Sequence, residues 1–281
     1  MLKARAQGRP EGDVTTLEDM PQITINQMKI HYQASGSGAV ILFLHGLGSC
    51  GQDWMLQVPV LQKTFRVITP DLSGHGQTDK PQGRVRVAHL ASDVLGLLDT
   101  LNVERAHVVG LSLGGCVALV LALDAPQRVR SLTLVNTFAH LEPDNPGHAL
   151  MLVSRLALLG VRGLPAQAHF VAARMFPKPE QGMLRKLAAE RIAANDITTY
   201  RRVLLAVAAF DVRSRLGEIT CPALVIAGDR DTTVPMHPKQ FLAAHIPGAR
   251  LEIVADSGHA TPIDQPEVLN RLVLEFVESI P

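Results

Sequence analysis

The chain has 281 residues, 47% of them hydrophobic and 19% charged, enough to bury the core of one large domain or of one domain carrying an insertion. Its 27 basic residues against 26 acidic give no electrostatic case for nucleic acid or an anionic membrane as partner. No apolar run approaches the roughly 20 residues of a membrane span, and three widely spaced cysteines (Cys50, Cys116, Cys221) fit neither a disulfide framework nor a metal site and suit a reducing cytoplasm.

Residues 1–19, MLKARAQGRPEGDVTTLED, are polar, lack the apolar core of a signal peptide and read as a disordered extension. Two alternating segments follow, QITIN and MKIHYQAS, which meet at Gln27 and read as a hairpin. The run VILFLHG opens the stretch HGLGSCG, in which Gly46, Gly48 and Gly51 spell G-x-G-x-x-G. The next apolar run, FRVITPD, ends in Asp71, the position at which a dinucleotide-binding unit carries its ribose-binding acid. A helix is predicted over 85–101, a strand at RAHVVGLS, a helix over 113–125 and a strand at RVRSLTLVN. From about Asn136 to Asp211 strand signals stop, and four helical stretches appear instead: HALMLVSRLALLG, AQAHFVAARMF, GMLRKLAAERIAA and TTYRRVLLAVAAF. Strand and helix then alternate again: PALVIAGD, 237–246, ARLEIVAD, 265–280. Near-continuous, β-branched strands suit a parallel sheet buried on both faces. The expected fold is therefore α/β, mostly parallel, with an antiparallel hairpin at one edge. Residues 20–135 and 212–281 would form its core. Residues 136–211 would form a helical insertion, either a lid over the carboxyl edge, where ligands of open α/β sheets bind, or a packed subdomain with no binding role.

One motif carries chemistry. Gly110-Leu111-Ser112-Leu113-Gly114 is G-x-S-x-G between a strand and a helix, which holds a serine at a sharp turn with its Oγ exposed. The helix N-terminus places positive potential where an oxyanion would form. A nucleophilic serine needs a base, and the base an orienting acid. Asp229 and Asp231 both lie in the loop after PALVIAG, and His259 lies in the loop after the last strand. His237 and His245 fall in or beside a predicted helix, His107 precedes its strand at the wrong end of the sheet, and His45 and His75 precede the serine. His259 alone satisfies order and position.

From Gln22 onward the chain resembles the α/β-hydrolase superfamily. HGLGSCGQDW is similar to that family's His-Gly loop and following Trp, and PDLSGHGQTDKP to its Asp-x-x-Gly-x-Gly loop, with Thr78 where Ser is usual. GDRDTTVP resembles the acid loop, SGHATPIDQPEVLN the histidine segment, and the helical insertion sits where the family carries its cap. The resemblance implies Asp231, rather than Asp229, as the acid. It implies the backbone N–H groups of Leu47 and Leu113 as an oxyanion hole, so that the loop at Gly46 serves an oxyanion and not a pyrophosphate. Asp71 would then shape a turn, and the dinucleotide reading would leave Ser112, Asp231 and His259 unexplained.

The expected activity is hydrolysis of short- to medium-chain carboxylic esters through an acyl-enzyme, with no metal and no cofactor. Gly46, Met151 and Leu152 are candidate substrate contacts, the last two from the Leu- and Met-rich first helical stretch. Enol-lactonases and C–C bond hydrolases share the fold and triad; the latter usually carry Asn before the serine, where this chain has Leu111. A triad-bearing receptor for a small ligand is the reading from a different class.

Overall fold

The computed structural model describes residues 22–141 and 146–280. The predicted extension 1–19 therefore lies outside the described residues, as do the side chains of Met151 and Leu152. Eight strands form the sheet: β1 (Gln22–Ile25), β2 (Met28–Ser35), β3 (Val40–Leu44), β4 (Arg66–Pro70), β5 (Ala106–Leu111), β6 (Val129–Val135), β7 (Ala223–Gly228) and β8 (Arg250–Val254). The helices are α1 (Val58–Leu61), α2 (Val87–Thr100), α3 (Leu113–Asp124), α4 (Pro146–Met175), α5 (Gly182–Ala193), α6 (Ile197–Ala208), α7 (Met236–His245), α8 (Thr261–Asp264) and α9 (Pro266–Glu278).

The strand order is β1-β2-β4-β3-β5-β6-β7-β8. β1 and β2 pair antiparallel, β2 pairs antiparallel with β4, and every later pairing is parallel. The hairpin turns at Asn26 and Gln27, both with positive φ. The central strands are buried along almost their whole length, which is why they read as unbroken apolar runs: one face of β3, β5 and β7 meets Leu119, Leu97 and Val117 of α3 and α2, the other meets Leu269, Val273 and Phe276 of α9. His107, expected ahead of its strand, is instead the second residue of β5, buried, with Nδ1 2.8 Å from Ser131 Oγ. It still sits at the amino end, away from the loops after the strands.

The interval without strands leaves and rejoins the sheet at one place. An isolated bridge pairs His140 with Asp211, and Val212 N–H donates to the Ala139 carbonyl at 3.0 Å. Between them lie α4, α5 and α6. The first two predicted stretches are two helical segments of α4, separated by a kink where Gly163 adopts the non-helical φ 75° and Pro165 follows. Proline removes a backbone donor and glycine supplies the left-handed turn, so the sequence places the kink. α4, α5 and α6 share a small apolar core around Leu159, Leu164, Ile192, Tyr200 and Leu204.

Candidate active site

Ser112 sits between β5 and α3 with φ 53° and ψ −113°, a conformation an L-residue holds only under constraint. Its surroundings show why the flanking residues are glycines. A Cβ on Gly110 would lie 2.3 Å from the Gly114 carbonyl oxygen, and one on Gly114 2.0 Å from the Leu44 carbonyl oxygen. Any side chain at either position would push α3 off β3 and open the turn. The turn is tied down by Ser112 N–H to the Val135 carbonyl (3.0 Å) and by Thr137 Oγ1 to the Ser112 carbonyl (2.6 Å).

Asp231 and His259 arrive from the loops after β7 and β8. His259 Nδ1 lies 2.9 Å from Asp231 Oδ2, which leaves Nε2 for the cavity that His259 and Ser112 both line. No hydrogen bond joins Ser112 Oγ to His259, a looseness common before substrate tightens a site. The structure brings Asp231 to the imidazole. Asp229 is exposed and accepts only from Ser257 N–H, at 3.2 Å, so it shapes the loop. His237 and His245 are exposed on α7.

Asp231 Oδ1 accepts from the N–H groups of Thr233 (2.8 Å) and Val234 (3.0 Å), while Oδ2 accepts from both His259 and the Lys239 ammonium (2.8 Å). Burial by itself would push this carboxyl up, but the charges and hydrogen bonds of His259 and Lys239 hold it down to about 2. Two residues that did not stand out in the sequence thus serve this corner. Lys239 lies on α7, and its side chain has no exposure. Asn136 is also fully buried. Its amide donates to the His259 carbonyl (2.9 Å) and to Thr261 Oγ1 (2.8 Å) and accepts from Gly228 N–H (2.8 Å), fastening the end of β6 to both functional loops. Its only sequence signal is an asparagine ending an apolar strand.

The cavity has a volume of about 710 Å³. Gly46, Leu47, Ser112, Leu113 and His259 line it from the sheet edge, and Val171, Met175, Leu187, Ile192 and Leu204 from the helices α4–α6. Among the described residues nothing accepts a hydrogen bond from the N–H of Leu47 or Leu113. A Cβ on Gly46 would stand 3.7 Å from Ser112 Cβ, so glycine there leaves room for a ligand beside the serine. Two arginines line this mostly apolar space: Arg191, whose Nε pairs with Asp53 Oδ1 at 3.3 Å, and half-buried Arg155, whose Nε and carbonyl oxygen are both held at 3.1 Å by the wholly buried amide of Gln167, in the orientation that satisfies both bonds.

The glycine-rich loop serves no nucleotide geometry. Gly51 N–H, one of the donors a pyrophosphate would need, is taken by Asp71 Oδ1 at 2.7 Å, and Asp71 Oδ2 binds Gln77 N–H and His31 Nδ1. Asp71 thus ties the loop after β3 and strand β2 to its own loop after β4. Among the described residues no helix is long and apolar enough to cross a membrane.

Comparison with known proteins agrees with this fold. A family model described as alpha/beta hydrolase fold matches residues 39–173. A Caulobacter vibrioides protein named "Putative carbamate hydrolase RutD" is 34% identical over 274 residues, covering 92% of this chain and 99% of that one. The 3-oxoadipate enol-lactonase 1 of Acinetobacter baylyi is 30% identical, covering 90% of this chain and 94% of its own. The crystal structure of the enol-lactonase from Burkholderia xenovorans superposes with a TM-score of 0.85 at 29% identity, covering 92% of this chain and all of that one. An eight-stranded, mostly parallel sheet with a serine at its strand-to-helix elbow, matched along nearly its full length by such relatives, places this chain in the α/β-hydrolase superfamily.

Proposed function

We propose that this hydrolase cleaves carboxylic esters through an acyl-enzyme on Ser112. The observation that carries the reading is the strained serine sharing a cavity with an imidazole whose other nitrogen is held at 2.9 Å by a buried carboxylate. His259 Nε2 takes the Ser112 proton as Oγ attacks the carbonyl carbon. Asp231 holds the tautomer that makes this possible and stabilises the imidazolium. The unengaged N–H groups of Leu47 and Leu113 receive the oxyanion, an effect of roughly 3–4 kcal/mol per donor in comparable sites. His259 then protonates the leaving alcohol and activates water for deacylation. α4–α6 act as the cap, and their apolar lining selects short- to medium-chain acyl groups; each accommodated methylene adds at most about 0.8 kcal/mol. The three buried free cysteines suit a cytoplasmic setting. An organophosphonate should add one adduct to the parent and none to Ser112→Ala by intact mass, and p-nitrophenyl esters should show a peaked acyl-length profile. An adduct on another residue, or turnover retained by Ser112→Ala, refutes the mechanism.

A second reading, a lactone that carries a carboxylate, is favoured by Arg155. A guanidinium fixed by Gln167 in a mostly apolar cavity, whose other arginine, Arg191, is paired with Asp53, offers a charge-assisted fork to an anion, and relatives named as enol-lactonases match this chain in sequence and structure. Cleavage of the ring ester uses the same steps with the leaving alcohol still tethered. Arg155→Met should raise KM for ω-carboxylated esters and lactones at least tenfold and leave neutral esters unaffected. Equal KM values for charged and neutral substrates in the parent would discard this reading and keep the first.

A further inference from the structure

The Asp231 carboxylate has more partners than orienting a histidine requires. Two backbone amides on Oδ1 and the imidazole on Oδ2 already satisfy it, yet a fourth donor, Lys239 Nζ, lies 2.8 Å from the same oxygen that faces the ring and 3.5 Å from the Gly228 carbonyl. Both side chains of the ion pair have no exposure. Packing does not account for the ammonium. Burying a charge pair costs about as much as it returns, and an apolar side chain of the same length would hold α7 against β7 at least as well. What the ammonium adds is a fixed positive charge next to the carboxylate that has to stabilise an imidazolium.

We propose that Lys239 is a positioning residue for the reaction: it pins the Asp231 oxygen that orients His259 and, by offsetting that carboxylate's charge, opposes protonation of the ring, so that Ser112 stays activated at lower pH than an isolated Asp–His pair would permit. The proposal rests on the reading of Ser112, His259 and Asp231 as a triad. The other charged groups around the triad are committed elsewhere. Asp264 on α8 accepts from Gly258 N–H and Ser257 Oγ, Arg174 on α4 donates to the Thr232 carbonyl, Lys178 pairs with Asp256, and exposed Asp229 accepts from Ser257 N–H. Lys239 is the only cation in direct contact with the acid among the described residues. Being buried at both ends, the pair is little screened by salt.

The test needs no knowledge of the natural substrate. The rate at which an organophosphonate labels Ser112 is followed by intact mass from about pH 5 to pH 9, the range in which imidazole chemistry titrates, for the parent, Lys239→Met and Lys239→Gln. Gln keeps a donor to Oδ2 without the charge; Met removes both. The acidic half-maximum of the labelling rate should rise in both variants by about one to two pH units, the usual effect of removing one nearby charge. The plateau rate should fall more in Met than in Gln. At a pH on the acidic limb the variants should therefore label about ten- to a hundredfold more slowly than the parent, relative to their own plateaus. If the half-maximum stays where it is in both variants, or falls, the lysine is a packing element and the proposal is wrong. If Lys239→Met does not fold, Lys239→Gln alone decides the charge effect. Failure of the triad reading is separate: the parent itself would then carry no adduct on Ser112.

Discussion

Replacing Asp231 by Asn should separate the catalytic role proposed for this carboxylate from its structural one. The amide presents a donor on one side, where the structure supplies four donors and no acceptor: the N–H groups of Thr233 and Val234, His259 Nδ1 and Lys239 Nζ. If the amide oxygen stays on the backbone N–H groups, its NH₂ meets the ring and the ammonium, which forces the wrong imidazole tautomer and leaves a buried cation unpaired. The first effect costs on the order of 10⁴ in kcat in a related triad. The second, removal of one partner of a fully buried ion pair, costs about 3–5 kcal/mol. In a chain of this size that lowers Tm by roughly 6–15 °C. Asp229→Asn provides the contrast: it weakens one 3.2 Å hydrogen bond at the surface, worth about 1 kcal/mol or less, and should leave kcat within a few-fold. The assay is kcat/KM on one p-nitrophenyl ester together with calorimetric Tm for Asp231→Asn, Asp229→Asn and the double variant Asp231→Asn/Lys239→Met. The double variant should recover most of the lost Tm, because it removes the stranded ammonium, and none of the lost activity. A larger kcat loss in Asp229→Asn would reverse the assignment of the acid. An unchanged Tm in Asp231→Asn would refute the account of the buried pair.

Ser112→Gly should abolish turnover and raise stability by about 1 kcal/mol, because glycine adopts φ 53° without strain; urea midpoints check it, and a loss of stability would mean the elbow is held by side-chain contacts instead. Gly114→Ala should cost about 3 kcal/mol or more, since its Cβ would fall 2.0 Å from the Leu44 carbonyl oxygen, whereas Gly160→Ala on α4, with nothing within 4 Å, should gain up to about 1 kcal/mol; paired melting curves decide. Acid should destabilise the fold through His75, whose burial, reinforced by the charge of His45, lowers it from 6.5 to about 3. The unfolded chain takes up that proton first, so the contribution is complete above about pH 6.5 and is lost as pH falls toward about 3, amounting to about 3 kcal/mol by pH ~4. His75→Asn should flatten the dependence of urea stability on pH across that window, and an unchanged slope would assign it to other groups.

What the sequence made legible follows from how local each determinant is. The elbow is legible because a strained turn admits few residues: the clashes at Gly110 and Gly114 are steric facts about neighbours in sequence, and they select the same letters wherever the turn is built. The place of His259 on the same cavity as Ser112 is legible because the sheet topology sends the loops after β5, β7 and β8 to one edge, and strand periodicity alone locates those loops. The kink in α4 is legible at Gly163 and Pro165, and the two helices read from the sequence are the segments on either side of it. Partners far apart in sequence left no such mark. Asn136 reaches 125 positions along the chain to Thr261, and Gln167 clamps Arg155 across the kink. Lys239 shows the limit most sharply. On α7 it occupies a position one helical turn before Leu242 and next to Pro238, both buried, and helical spacing therefore assigns it to the inner face. A lysine on an inner face reads as an exception to be explained by snorkelling. It becomes intelligible only when the loop after β7 folds Asp231 back over the start of α7, eight residues away, and supplies the counter-charge. The same contact that makes the burial tolerable links α7 through Asp231 to His259. A substitution that looks like ordinary core repair of α7 should therefore be read out at Ser112, in the pH dependence of its labelling.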